Sequence, residues 1–370
     1  MSETDSSPEL QPRFNPELLG HEDAEARLLR WWRSGRLPHA LLLTGPRGIG
    51  KATLAYRLAR FVLAQGHDDS GATPLLVAEA TPDSLFVPPD APVFRRVAQG
   101  SHADLATLER TYDERAKRLR SEIVVDEVRR LRPFFGATSG EGGWRVAVVD
   151  AVDEVNINGA NALLKQLEEP PQRGLLILVA HAPGRLLPTI RSRCQNLALR
   201  PLSSDVMATI LGARLHDYTD EERLALSVLA DGSVGRALEL AGQGGLDLYR
   251  ELVSLLAPLP ELDVAGVHAL GDRLARRGQE ATYRTLIDLL LDWLSRMVRA
   301  GAEERRPVQI LGDERSVIDR LWQSGRPIAW LDAWENVRDL TARGDAVNLD
   351  RKQVVINIFT TLSNAAATAR

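Results

Sequence analysis

The chain has 370 residues, room for two to three domains of about 150 residues each. Its 44% hydrophobic residues can fill real cores, and a net charge of −4 gives no overall basic field that would attract nucleic acid. Cys194 is the only cysteine, which excludes an intrachain disulfide and a cysteine-based zinc site, and no apolar run nears the roughly 20 residues of a membrane span.

The polar, acidic start MSETDSSPELQPR is unlike a secretory signal, so a cytoplasmic, reducing location is expected. Residues 1–15 are expected to be disordered. HEDAEARLLRWWRSG then puts Ala24, Leu28 and Trp32 on one helical face. ALLLTG reads as a buried strand. Lys51–Ala64 follows as a helix, with Leu54, Ala55, Leu58, Phe61 and Val62 at helical spacing. Residues 66–101 carry HDDSGATP and VPPDAPV and read as irregular, and a charged helix is expected over Asp104–Leu119. EIVVDEVRRLRPFF predicts a brief extended piece running into a helix near Asp126. The apolar run WRVAVVD ends at Asp150. A helix over Ile157–Leu167 follows and is stopped by Pro170 and Pro171, since a proline disfavours helix in the residue before it. LLILVA (175–180) and QNLAL (195–199) read as further strands. Strands that are apolar on both faces and alternate with helices predict a parallel sheet covered on both sides, an α/β nucleotide-binding architecture. Three short helices are expected over 202–243, then long amphipathic ones. Ile287, Leu290, Leu291, Leu294 and Val298 make one stripe, and Val355, Ile358, Phe359 and Leu362 another. Domain boundaries are expected near Arg200 and Gly244.

Gly45 to Lys51 fits G-x-x-x-x-G-K. Gly45, Gly48 and Gly50 let backbone N–H groups turn toward phosphates, the helix N-terminus adds positive potential, and Lys51 reaches the terminal phosphates. The next position normally carries a magnesium-binding hydroxyl, but here it is Ala52; Thr53 comes one residue late, about 100° around the helix. The second nucleotide motif is an apolar strand ending in Asp then Glu. VAVVD supplies Asp150, yet Ala151 follows, and Asp153 and Glu154 read as a solvated turn. Both the metal hydroxyl and the catalytic carboxylate are therefore missing.

RLPHALLLTGPRGIGKATLAYRLA, NALLKQLEEPP and LLPTIRSRC occur in this order, and together they resemble the delta prime family of bacterial DNA polymerase III clamp-loader subunits, within AAA+. The resemblance is specific over 20–240 and extends over 245–370 only as a compatible helical region. It implies a RecA-like AAA+ α/β P-loop domain over 16–200, a three-helix lid over 201–244 and an all-α collar over 245–370. It also implies a non-hydrolysing stator in a ring with tau/gamma and delta, reaching the beta sliding clamp and primer–template DNA through the complex, with no membrane partner. In the family the Ser-Arg-Cys motif, here Ser192, Arg193 and Cys194, supplies an arginine finger to the neighbour's ATP site; the competing role for Arg193 is a local pair with a carboxylate such as Glu168. Cys194 is expected to be a small buried residue rather than a reactive one.

The chain also departs from the family. Many relatives carry a four-cysteine zinc module in the region of 66–101, and this chain has none there. GSVGRAL puts Gly235 where the lid's sensing arginine stands, with Arg236 one later. His181 follows LLILVA, where active relatives have a polar phosphate sensor, and is expected to be a surface or packing residue. No cofactor is expected to be required, there is no zinc, and ATP or ADP binding at Gly45, Gly48, Gly50, Lys51, Thr53 and Asp150 would be weak. The rival reading is an active AAA+ ATPase motor with an atypical metal site that uses Thr53 or water. A weaker third is a stand-alone AAA+ adaptor. Ala52 and Ala151 favour the stator, and the Ser-Arg-Cys motif disfavours the adaptor. The chain is expected to be neither a polymerase nor an efficient ATPase.

Overall fold

The computed structural model describes residues 11–65, 82–113, 118–141, 143–302, 310–312, 314–324, 326–347 and 349–367. They fall into two compact units that meet between Val206 and Met207. The first ten residues and 66–81 lie outside the described residues.

In the first unit the helices are α1 (Glu22–Arg33), α2 (Lys51–Gln65), α3 (Pro92–Ala98), α4 (Val125–Arg129), α5 (Leu131–Gly136), α6 (Ile157–Glu168) and α7 (Pro188–Arg191). The strands are β1 (Ala40–Thr44), β2 (Leu105–Leu108), β3 (Tyr112–Asp113), β4 (Arg118–Leu119), β5 (Arg145–Asp150), β6 (Gly174–Ala180) and β7 (Gln195–Ala198). Five of the strands form a sheet in the order β2-β5-β6-β1-β7, every pair parallel. β1 and β6 are central and buried along their whole length, as continuous apolar runs require. Alternate residues feed two cores. Leu41, Leu43, Val146, Val148, Ile177 and Val179 pack under α1–α3, while Leu42, Ala147, Val149 and Leu178 pack under α4–α6. The expected α/β architecture is therefore present, with helices on both faces of the sheet.

Three local expectations are corrected. The described residues of Asp104–Leu119 are not helical: Leu105–Leu108 is the edge strand β2 beside β5, and Tyr112–Asp113 pairs antiparallel with Arg118–Leu119 as β3–β4. Pairing with β5 overrides the charge pattern that suggested a helix. The stretch read as irregular contains α3, which starts at Pro92, where a proline's missing N–H does no harm. Residues 11–15 are ordered, because the buried guanidinium of Arg60 donates to the carbonyls of Arg13 (3.0 Å) and Asn15 (2.8 Å).

In the second unit every regular element among the described residues is a helix. The unit holds most of α8 (Ser204–Arg214), then α9 (Asp220–Leu229), α10 (Val234–Gly242), α11 (Gly245–Leu256), α12 (Val264–Leu274), α13 (Glu280–Ala302), α14 (Glu314–Ser324), α15 (Pro327–Val347) and α16 (Arg351–Ala367). Helix starts are fixed by side chains: Thr219 and Glu222 form a capping box, and Ser233 and Asp263 cap α10 and α12. One core runs from Ala225 to Ala366, across Gly244, around Trp293, Trp330, Ile358 and Phe359. Within it the fully buried Glu314 accepts from Arg296 (2.9 Å), from the Tyr249 hydroxyl and from the backbone N–H groups of Ile310 and Leu311. This satisfies the buried charge. Among the described residues no helix is long and apolar enough to cross a membrane.

Candidate nucleotide site and arginine surface

The loop between β1 and α2 lies at the C-terminal ends of the parallel strands, where α/β sheets bind ligands. Its shape depends on glycine. Gly45 has φ +146°, and a Cβ there would stand 2.5 Å from the carbonyl oxygen of Leu199. Gly48 and Gly50 also have positive φ, at +77° and +101°. Lys51 is buried, and its ammonium donates to the carbonyls of Gly45 (2.7 Å) and Pro46. Burial pushes its pKa down to about 8, against the pull of Asp150 and Asp153. His21, at the start of α1, donates from Nε2 to the Ile49 carbonyl at 2.6 Å and so braces the loop from outside. Nothing in the sequence around His21 signals this contact, which spans 28 positions. Ala52 offers no oxygen, and Thr53 is buried in α2.

Asp150 ends β5 beside the loop. Burial, reinforced by Glu109, pushes its carboxyl up to about 6, with Lys51 opposing. Ala151 is buried. Asp153 and Glu154 do not form a solvated turn. The Asp153 carboxylate accepts from the backbone N–H groups of His181 and Ala182, both at 2.9 Å. The Glu154 carboxylate pairs with Arg110 at 2.8 Å and lies 3.9 Å from Arg47 of the phosphate loop. Arg110 follows the strand β2 that was misread as helix, so its place in the site was not legible either. His181 is half-buried, and its Nδ1 is buried without a partner. Burial first, then the charge of Lys51, pushes its pKa down to about 4.

The structure thus gathers Gly45, Gly48, Gly50, Lys51 and Asp150 at one place. Ser192, Arg193 and Cys194 follow α7 on a different surface. Arg193 is 38% exposed; it pairs with Glu168 at 2.9 Å and donates to the Thr189 carbonyl at 3.2 Å, touching none of the phosphate-loop residues. Both roles weighed for it from sequence remain compatible with this position. Ser192 donates its hydroxyl to the Thr189 carbonyl. Burial pushes the Cys194 thiol up to about 12. In the second unit Arg236 pairs with Asp292 of α13.

A family model described as DNA polymerase III, delta subunit, matches residues 20–203. The DNA polymerase III subunit delta′ of Pseudomonas aeruginosa is 32% identical over 286 residues, 75% of this chain and 79% of that protein. The Escherichia coli delta′ subunit is 31% identical over 217 residues, 58% of each chain. The gamma/tau subunit of Mycobacterium tuberculosis is 33% identical over 263 residues, 70% of this chain but only 40% of its own length.

Proposed function

Since the chain belongs to the delta prime family of DNA polymerase III subunits, we propose that it is the non-hydrolysing stator of a clamp loader and that it completes a neighbour's ATP site with Arg193. The observation that carries the reading is the contrast between the two surfaces. The chain's own phosphate loop lacks a metal hydroxyl at Ala52 and a base at Ala151, while Arg193 stands half-exposed, held by a solvated pair with Glu168 and a hydrogen bond to the Thr189 carbonyl. An active motor would need another carboxylate to activate water. Two carboxylates that follow Asp150, those of Asp153 and Glu154, are committed to backbone amides and to Arg110.

In this reading tau/gamma and delta are the assembly partners, and the beta clamp and primed DNA are reached through the complex. The helices from Ser204 to Gly242 are the lid, and those from Gly245 onward the collar that joins the ring. Arg236 does not sense nucleotide here, because Asp292 of α13 holds it. The test is reconstitution with tau/gamma and delta. A complex of defined mass should form, and Arg193→Ala should leave its assembly intact while slowing ATP turnover. Failure to assemble, or turnover unchanged by Arg193→Ala, overturns the reading.

A further inference from the structure

We infer that Asp153 is a positioning residue for Arg193. Its carboxylate fixes the start of the segment that carries the guanidinium, and so sets where that group reaches on a neighbouring subunit. The inference rests on the role proposed for Arg193 and adds a second residue to it.

Asp153 sits on a well-held turn, Val152–Glu154, just after β5. Val152 is buried in the core under α4–α6. Ile123 donates its N–H to the Glu154 carbonyl (2.8 Å) and accepts from the Asn156 N–H (3.1 Å), and the Glu154 side chain pairs with Arg110. From this turn the Asp153 carboxylate takes the successive N–H groups of His181 and Ala182, one on each oxygen, both at 2.9 Å. Two adjacent amides held by one carboxylate fix the direction in which the chain leaves β6 as well as its position. Bonds to an ionised acceptor are also about twice as strong as neutral ones.

Little slack lies between Ala182 and Arg193. The turn Pro183–Arg185 is closed by the Arg185 N–H on the Ala182 carbonyl. After it, α7 is closed by the Ser192 N–H on the Pro188 carbonyl and the Arg193 N–H on the Ile190 carbonyl. A proline opens each turn and fixes φ there. Leu186 and Ile190 are buried in the same core as Val152, Leu163 and Leu167. The piece from Val152 to Glu168 therefore holds the segment twice. Asp153 at its start takes His181 and Ala182, and Glu168 at the end of α6 takes Arg193. The second hold is a solvated ion pair, which is weak and which Arg193 gives up when it meets a phosphate. The first hold stays, so the aim of the segment then depends on Asp153. Aim matters, because a misplacement of about 1 Å can cost about 10²-fold in rate.

The experiment is a double-mutant cycle in the complex reconstituted with tau/gamma and delta, reading kcat and KM for ATP. Asp153→Asn keeps the side chain's shape but sets an NH₂ group against one of the two amides. It should lower kcat severalfold, with KM little changed and assembly intact. In the Arg193→Ala background the same substitution should change kcat by less than about twofold, because its effect runs through Arg193. Asp153→Glu keeps the charge and both acceptors but displaces them by one methylene, so it should lose less kcat, and that loss too should vanish with Arg193→Ala. If Asp153→Asn does not assemble, the cycle is read on Asp153→Glu, and wild-type kcat there shows a structural requirement alone and overturns the inference. Unchanged kcat in Asp153→Asn while Arg193→Ala slows turnover overturns this inference and leaves the finger standing. An equal fold loss with and without Arg193 also overturns it, since Asp153 would then only support the fold. A loss in Asp153→Asn beside an inert Arg193→Ala overturns both this inference and the finger.

Discussion

Replacing Arg193 by Ala should separate stability from catalysis. In the isolated chain Arg193 holds an ion pair with Glu168 at 2.9 Å, but the two side chains are 38% and 50% exposed. Such pairs contribute about 0.2–1 kcal/mol, and the hydrogen bond to Thr189 lies in the same solvated setting. Loss of stability should therefore stay within about 1 kcal/mol, a melting shift of no more than about 4 °C for a unit of this size. Against a leaving phosphoryl group the same guanidinium meets spreading negative charge away from water. An arginine in that position contributes about 10³–10⁵ in rate, or about 4–7 kcal/mol of barrier. The two effects differ several-fold, so they can be told apart. Bulk turnover will fall less than turnover at the affected site, because other sites in the ring keep their own arginines. The assay is DNA- and clamp-stimulated ATP hydrolysis by the reconstituted complex, paired with clamp loading and with thermal melting of the free variant. Arg193→Lys should rescue poorly, since a point charge lacks the planar fork. Glu168→Gln should leave both activities near wild type. Normal loading by an intact Arg193→Ala complex, or a melting loss far beyond a few degrees, would show that Arg193 is a local structural residue.

Three further outcomes are expected. The free chain should hydrolyse ATP with Mg²⁺ at less than about 0.1 s⁻¹, slow by the standard of ordinary enzymes; a faster rate abolished by Lys51→Ala contradicts this. Gly45→Ala should destabilise the first unit by about 1–3 kcal/mol, because φ +146° disfavours a side chain and the new Cβ would lie 2.5 Å from the Leu199 oxygen. Denaturant unfolding reads that loss, and an unchanged midpoint refutes it. Cys194, with its thiol pushed up to about 12, should carry about a thousandfold less thiolate at pH 8 than an ordinary cysteine, so iodoacetamide should label it far more slowly than free thiol. Equal labelling rates would show that the thiol is not desolvated.

The parts of the fold with strong local patterns were legible. β1, β5 and β6 are continuous apolar runs, and the α2 and α16 stripes repeat at helical spacing, so each was readable from its own residues. β2 was not. LATL is four residues long, lies among charges and becomes a strand only because β5 is there to pair with. The site divides the same way. Gly45, Lys51 and Asp150 follow from a motif and the end of a strand. His21, Arg110 and the commitments of Asp153 and Glu154 depend on contacts between distant segments, such as the 28 positions from His21 to Ile49, and no local pattern reports those. Ala52 and Ala151 were readable as absences because a motif says what should stand there.

The wedge of Gly45 against the Leu199 carbonyl bears on how such a chain changes over generations. That glycine is required by packing at the end of β1, whether or not a phosphate ever arrives, since any side chain would strike backbone. Ala52, only partly buried in the first turn of α2, answers to no comparable constraint on the loop's shape; what a hydroxyl would do there is chemistry. A substitution after the lysine can therefore remove the chemistry and leave the loop's shape, while one at Gly45 cannot. A phosphate-loop signature can thus outlive the reaction it is used to recognise. In a chain of this kind the glycines record how the backbone must turn, and the residue after the lysine is the better witness to whether fuel is burned.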